Sequence, residues 1–135
     1  MHRKMRLRTI ARLIFRPRPV VLAAEERERW RQVAREKIIE RCRHLSELTG
    51  YRPVKVRITS ARTRWGSCGA KGTVNFSWRL AMAPPEVIDY VIVHELVHLA
   101  EMNHSARFWQ RVAQHVPDHR LHRRWLRENG HLLGV

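Results

Sequence analysis

The sequence is poor in cysteine and in long apolar runs, and each shortage excludes a class of protein. Its two cysteines, Cys42 and Cys68, are too few to build the disulfide scaffold of a small secreted domain. No apolar run approaches the about 18 residues that a membrane-spanning helix needs. Because cysteine is scarce and no signal peptide is evident, we predict a cytoplasmic location.

Acidic residues are also scarce, since 27 Lys and Arg stand against 12 Asp and Glu for a net charge of +15 over 135 residues. The first 20 residues contain seven basic side chains and no acidic one. We therefore divide the chain into a basic N-terminal arm over residues 1–20 and a single domain over residues 21–135. The positive charge predicts attraction to polyanions such as DNA or a nucleotide, but it does not choose between them.

Hydrophobic periodicity predicts four helices and three short strands, which is an α+β composition. The predicted helices span residues 24–48, 86–101, 105–115 and 117–130, and the predicted strands span residues 54–59, 64–68 and 73–78. The second helix is apolar on nearly every side, so we expect it to lie at the centre of the core.

This apolar helix contains the sequence His94-Glu95-Leu96-Val97-His98. Two imidazoles four residues apart project from one helical face and can reach a single ion, while Glu95 is placed to hold water bound to that ion. His104 becomes a third ligand if the chain turns back after Asn103. Three protein ligands and one open position are typical of catalytic zinc, so we predict one zinc per chain.

The alternative is that these histidines form only hydrogen bonds. Placing two histidines and a glutamate on an apolar helix costs free energy unless they have a partner, so we favour a metal site. The spacing from His94 to His104 equals that of metzincins, but Glu101 occupies the position where those have glycine, and no methionine turn follows. We therefore exclude the metzincin class. Without that glycine, we expect the helix to continue to Glu101 or the chain to turn at Asn103, which tolerates left-handed geometry.

Several segments resemble the YgjP-like metallopeptidases, a zincin group similar to the SprT-like and WLM proteases. The resemblance covers about residues 24–130 and is carried by TRWGSC at 63–68, NFSWRL at 75–80, residues 84–98, NHS at 103–105 and FW at 108–109. It implies a zincin-like fold in which a small antiparallel sheet packs on a buried active-site helix, with a long N-terminal helix and C-terminal helices. It also implies zinc on His94, His98 and His104, with Glu95 as the general base.

The residues around the strand motifs are the candidate substrate contacts. These are Arg64, Trp65, Gly66, Asn75 and Arg79. In zincins an edge strand pairs with an extended substrate, and residues 62–66 or 74–77 could serve this purpose.

Three functions remain open from the sequence. The first is a zinc-dependent metallopeptidase that cleaves a peptide or protein substrate by water activated at Glu95. The second is a zinc-dependent hydrolase of nucleotide phosphoanhydrides, which the positive charge would suit. The third is a DNA-associated module, either an SprT-like protease or a binding protein without catalysis.

Overall fold

The computed structural model describes residues 22–133, so the predicted basic arm lies outside the described residues. Four helices and three strands follow one another in the predicted order, which confirms the α+β class. They are α1 (Ala24–Thr49), β1 (Lys55–Thr59), β2 (Gly66–Cys68), β3 (Thr73–Ser77), α2 (Pro85–Val97), α3 (Ala106–His115) and α4 (His119–Asn129). Short 3₁₀ segments follow β3 at Trp78–Met82 and α4 at Gly130–Leu133.

Helix α1 packs one apolar stripe against the core. Ala34, Ile38, Cys42 and Leu45 recur every three or four residues and are buried. The helix ends where Gly50 adopts a left-handed conformation (φ 82°) and its backbone N–H donates to the Ser46 carbonyl.

The three strands form one mixed sheet in the order β1-β3-β2. Strands β2 and β3 are antiparallel because the short turn over residues 69–72 reverses the chain between them. The predicted antiparallel sheet is wrong for β1, which pairs with β3 in parallel. Alternation of apolar residues indicates a strand without giving its direction, and the connection over residues 60–65 crosses the end of β3 to reach the opposite edge.

Helix α2 lies at the centre of the core, as predicted, and contacts the three other helices and strands β2 and β3. It ends at Val97, so the prediction that it continues to Glu101 is wrong. Tight backbone hydrogen bonds turn the chain instead, from Leu99 N–H to the Leu96 carbonyl and from Ala100 N–H to the Val97 carbonyl. Between residues 22 and 133 only glycines have positive φ, so a left-handed turn at Asn103 is also excluded. None of the described helices is long and apolar enough to cross a membrane.

Adjacent isoleucines in α1 test how the helix packs. Ile38 is fully buried, whereas Ile39 is 39% exposed. We expect Ile38→Ala to lower the free energy of unfolding by about 2–5 kcal/mol, because it leaves a cavity in the core. Ile39→Ala removes the same atoms from a partly exposed site and should cost less than half as much. Urea denaturation of both variants measures the difference, and equal losses would contradict the packing of α1.

Candidate metal centre

Three histidines converge at the C-terminal end of α2. His94 lies in its last turn, His98 caps it, and His104 lies in the loop before α3. The Nε2 atom of His104 is 3.2 Å from Nε2 of His94 and 3.2 Å from Nε2 of His98. Among residues 22–133 this is the single group of three or more metal-ligating side chains whose donor atoms come together.

An aromatic floor supports the three imidazoles. Phe108 is fully buried, and its ring stacks on His98 at a centroid distance of 4.4 Å. The same ring contacts His94 and His104, each at 4.9 Å. Trp109 stacks on His104 at 5.9 Å and therefore limits the movement of this histidine, which lies in the loop before α3. Sequence analysis did not assign either aromatic residue to the site.

Hydrogen bonds orient the two helical histidines through their Nδ1 atoms. His98 Nδ1 lies 2.9 Å from the Glu101 carbonyl oxygen, and His94 Nδ1 lies 3.3 Å from the Tyr90 hydroxyl. Such contacts leave both Nε2 atoms free to face the shared point. The role of Tyr90 was missed, although its position one helical turn before His94 was a usable signal. Glu101 contributes its carbonyl here, while its carboxylate lies 3.5 Å from the guanidinium of Arg111 on α3.

Burial keeps the helical histidines neutral. It lowers the pKa of His94 to about 3, with further lowering by the neighbouring His98 and His104. Burial also lowers the pKa of His98. Neutral imidazoles hold the lone pair that a metal requires. Two nitrogens bound to a tetrahedral zinc lie roughly 3.3 Å apart, and the 3.2 Å separations match this value. The donor set therefore fits a metal ion.

Glu95 is the carboxylate beside the three histidines. It is 6% exposed, and burial raises its pKa to about 7, against an opposing effect of the Arg64 charge. Strand β2 approaches it closely at Gly66, where an added Cβ would lie only 2.9 Å from Glu95 Cγ. The glycine is needed here because no larger residue leaves room for the glutamate.

The predicted substrate contacts occupy two different environments. Arg64, Gly66 and Asn75 line one pocket of about 240 Å³ beside β2, and Trp65 is half-buried next to them. Arg79 is buried away from this opening, and its Nη1 donates to the backbone carbonyls of Ser60 and Ala61. The structure therefore groups three of the five predicted substrate contacts around one pocket, whereas the Arg79 side chain is bound to backbone carbonyls of the protein.

Convergent histidines at the end of a buried helix with a neighbouring carboxylate are typical of metal-dependent hydrolases. The sequence profile of the YgjP-like metallopeptidase domain matches residues 18–129, so the chain belongs to the YgjP-like metallopeptidase family. This membership supports hydrolase activity on peptides, and the histidine cluster suggests a bound metal.

A solved structure shares the fold. It is the metallopeptidase zymogen abylysin of Pyrococcus abyssi, which aligns with a TM-score of 0.59 at 23% sequence identity. The alignment covers 67% of this chain and 93% of abylysin. No curated protein matches the sequence significantly.

Two glycines of the β2–β3 hairpin test the close approach to Glu95. We expect Gly66→Ala to lower the free energy of unfolding by about 1–3 kcal/mol, because the added methyl collides with the glutamate and with β3. Gly69→Ala is the control, since its nearest contact would be an ordinary 3.8 Å from the Thr73 carbonyl. Urea denaturation compares the two, and a tolerated Gly66→Ala would contradict the packing described here.

Proposed function

We propose that the chain is a zinc-dependent metallopeptidase that hydrolyses peptide bonds with Glu95 as the general base. The observation that carries this proposal is the convergence of three histidine Nε2 atoms, with successive separations of 3.2 Å, together with the buried side chain of Glu95, which directly follows His94 in α2. Three imidazole donors favour zinc among the common divalent ions, and three ligands leave one position for water and substrate. One zinc per chain is expected.

The protein's own residues supply binding, orientation and proton transfer. Zinc, when bound by His94, His98 and His104, would act as a Lewis acid and acidify coordinated water. The Glu95 carboxylate would take a proton from the attacking water and later give it to the leaving amine. Burial raises the pKa of Glu95 to about 7, which suits a group that must both accept and return a proton near neutral pH.

The sheet offers one edge for an extended substrate next to this centre. Strand β3 is paired with β1 on one side and β2 on the other, so the prediction that residues 74–77 pair with substrate is wrong. Strand β2 has an outer edge that no other strand of the described chain covers, and Gly66 places it directly against Glu95. A peptide added to β2 by backbone hydrogen bonds would therefore pass the metal centre.

The two alternatives with a polyanionic ligand have less support. The net charge of +15 suggested a nucleotide or DNA, but the family match and the structural match concern metallopeptidases. Charge alone does not specify a ligand.

The predicted cytoplasmic location stays a prediction.

The metal can be tested directly. We expect purified protein to hold about one zinc per chain by mass spectrometry, because three imidazole nitrogens converge on one point. His104→Ala should lose most of this zinc, since two remaining histidines bind the ion far more weakly. His44→Ala replaces an exposed histidine of α1 and should retain it. Equal zinc contents in the two variants would contradict the three-histidine site.

The general base is tested by Glu95→Gln. We expect this variant to keep its zinc but to cleave casein or a peptide library at least a hundredfold more slowly, because the amide cannot accept the proton. The matched control is Glu86→Gln, an exposed residue in the first turn of the same helix. Undiminished cleavage by Glu95→Gln would refute the assignment, and a wild-type protein that holds zinc but cleaves no peptide would refute the proposed reaction.

A further inference from the structure

A small pocket lined by several polar residues opens on the sheet face that points away from the buried Val74 and Phe76. It has a volume of about 240 Å³ and lies between the ends of β1 and β3 and the edge strand β2. Five of the seven residues that line it have side chains with hydroxyl, amide or guanidinium groups, the other two are Ala61 and Gly66, and none is a carboxylate. The five polar residues are Thr59, Arg64, Ser67, Asn75 and Ser77.

Arg64 is the charged group of this pocket. Its side chain is exposed, and no acidic side chain of the described residues lies within salt-bridge distance of it. By contrast, Arg41 is held by Asp89 at 2.7 Å, and Arg111 lies 3.5 Å from Glu101. Arg64 is therefore available to an anion from outside the chain.

Two arginines from other elements place positive charge behind the connection between β1 and β2, which borders the pocket at Ala61. Arg79, in the 3₁₀ segment after β3, donates to the carbonyls of Ser60 and Ala61, and Arg31 of α1 donates to the Ser60 hydroxyl at 3.0 Å. Burial lowers the pKa of Arg79, and the positive charges of Arg62, Arg31 and Arg27 lower it further. The local field at the pocket thus favours a negative group.

The geometry of strand addition directs substrate side chains into this pocket. Side chains alternate between the two faces of a sheet, and cross-strand neighbours share a face. In β2, Gly66 faces Glu95, whereas Ser67 is paired with Asn75 on the pocket face. A peptide paired with the outer edge of β2 would therefore present alternate side chains to the metal centre and to the pocket.

We propose that this pocket binds an Asp or Glu side chain of an extended peptide substrate, with the Arg64 guanidinium as its partner. The inference rests on the proposed peptidase function, and it adds a substrate class: peptides with an acidic residue next to the scissile bond. The hydroxyls of Ser67 and Thr59 and the amide of Asn75 supply the remaining polar contacts of the pocket.

Peptide binding tests the proposal without requiring cleavage. The probes are blocked eight-residue peptides of alanine and valine with a single central Glu, Gln or Lys, titrated by calorimetry into zinc-loaded full-length Glu95→Gln protein. We expect the Glu peptide to bind about tenfold more tightly than the Gln peptide, as a charge-assisted hydrogen bond would provide, and the Lys peptide to bind least.

Two added substitutions separate the pocket from the general charge of the protein. Arg64→Gln and Arg124→Gln each remove one exposed arginine, and Arg124 lies on α4, outside the pocket lining. The preference for Glu over Gln should fall to less than about twofold in the Arg64→Gln protein and persist in the Arg124→Gln protein. The proposal is overturned if the Arg64→Gln and Arg124→Gln proteins prefer Glu over Gln equally. It is also overturned if the Glu95→Gln protein without an added substitution shows no such preference, or if it binds none of the peptides.

Cleavage by the wild-type protein keeps the two proposals distinguishable. Cleavage of the three peptides at equal kcat/KM would leave the peptidase function intact and refute the acidic pocket. If the Glu95→Gln protein binds the Glu peptide through Arg64 but the wild-type protein cleaves none of the peptides, the pocket is supported and the peptidase function is refuted.

Discussion

The structure depends on one costly arrangement, the burial of polar side chains at the end of the most apolar helix. Within α2, His94 and Glu95 interrupt a series of buried valine, isoleucine and leucine residues. Burying such groups costs several kcal/mol unless they find partners. A shared metal would satisfy the imidazoles, and their contacts through Nδ1 with Tyr90 and the Glu101 carbonyl hold them ready for it.

The elements around α2 complete this arrangement, each by a local device. The tight turn after Val97 ends the helix early enough for the chain to return with His104. Ser105 then caps α3 through a hydrogen bond from the Phe108 backbone N–H, which places the Phe108 ring beneath all three imidazoles. On the other side, Gly66 lets the edge strand approach Glu95. The same region thus combines the three-histidine cluster, a buried carboxylate and a strand edge that no other strand of the described residues covers.

Charged side chains have different partners in α1 and around the connection between β1 and β2. Three acidic side chains of α1, those of Glu28, Glu40 and Glu47, pair with arginines of the same helix. Arg64, in the connection between β1 and β2, instead has no acidic partner within salt-bridge distance among the described residues, and Arg79, in the 3₁₀ segment after β3, contacts the backbone carbonyls of that connection. The excess positive charge, which from composition alone suggested a polyanion, is therefore partly concentrated beside the proposed substrate edge.

The sequence by itself determined the helices, the strands and the three histidines with Glu95, because periodicity and the four-residue spacing of His94 and His98 are local properties of the chain. It also suggested the return of His104, but it misplaced the end of α2 and the direction of β1. Only the tertiary structure decided these: the direction of β1 depends on its pairing with the distant β3, and the end of α2 is set by the backbone hydrogen bonds that turn the chain after Val97. The tertiary structure also showed that Phe108 and Trp109 pack against the histidines. It showed that Arg79 contacts backbone carbonyls and that Arg64 lines one pocket with residues of all three strands. These contacts join segments that are distant in the sequence, so the sequence alone did not reveal them.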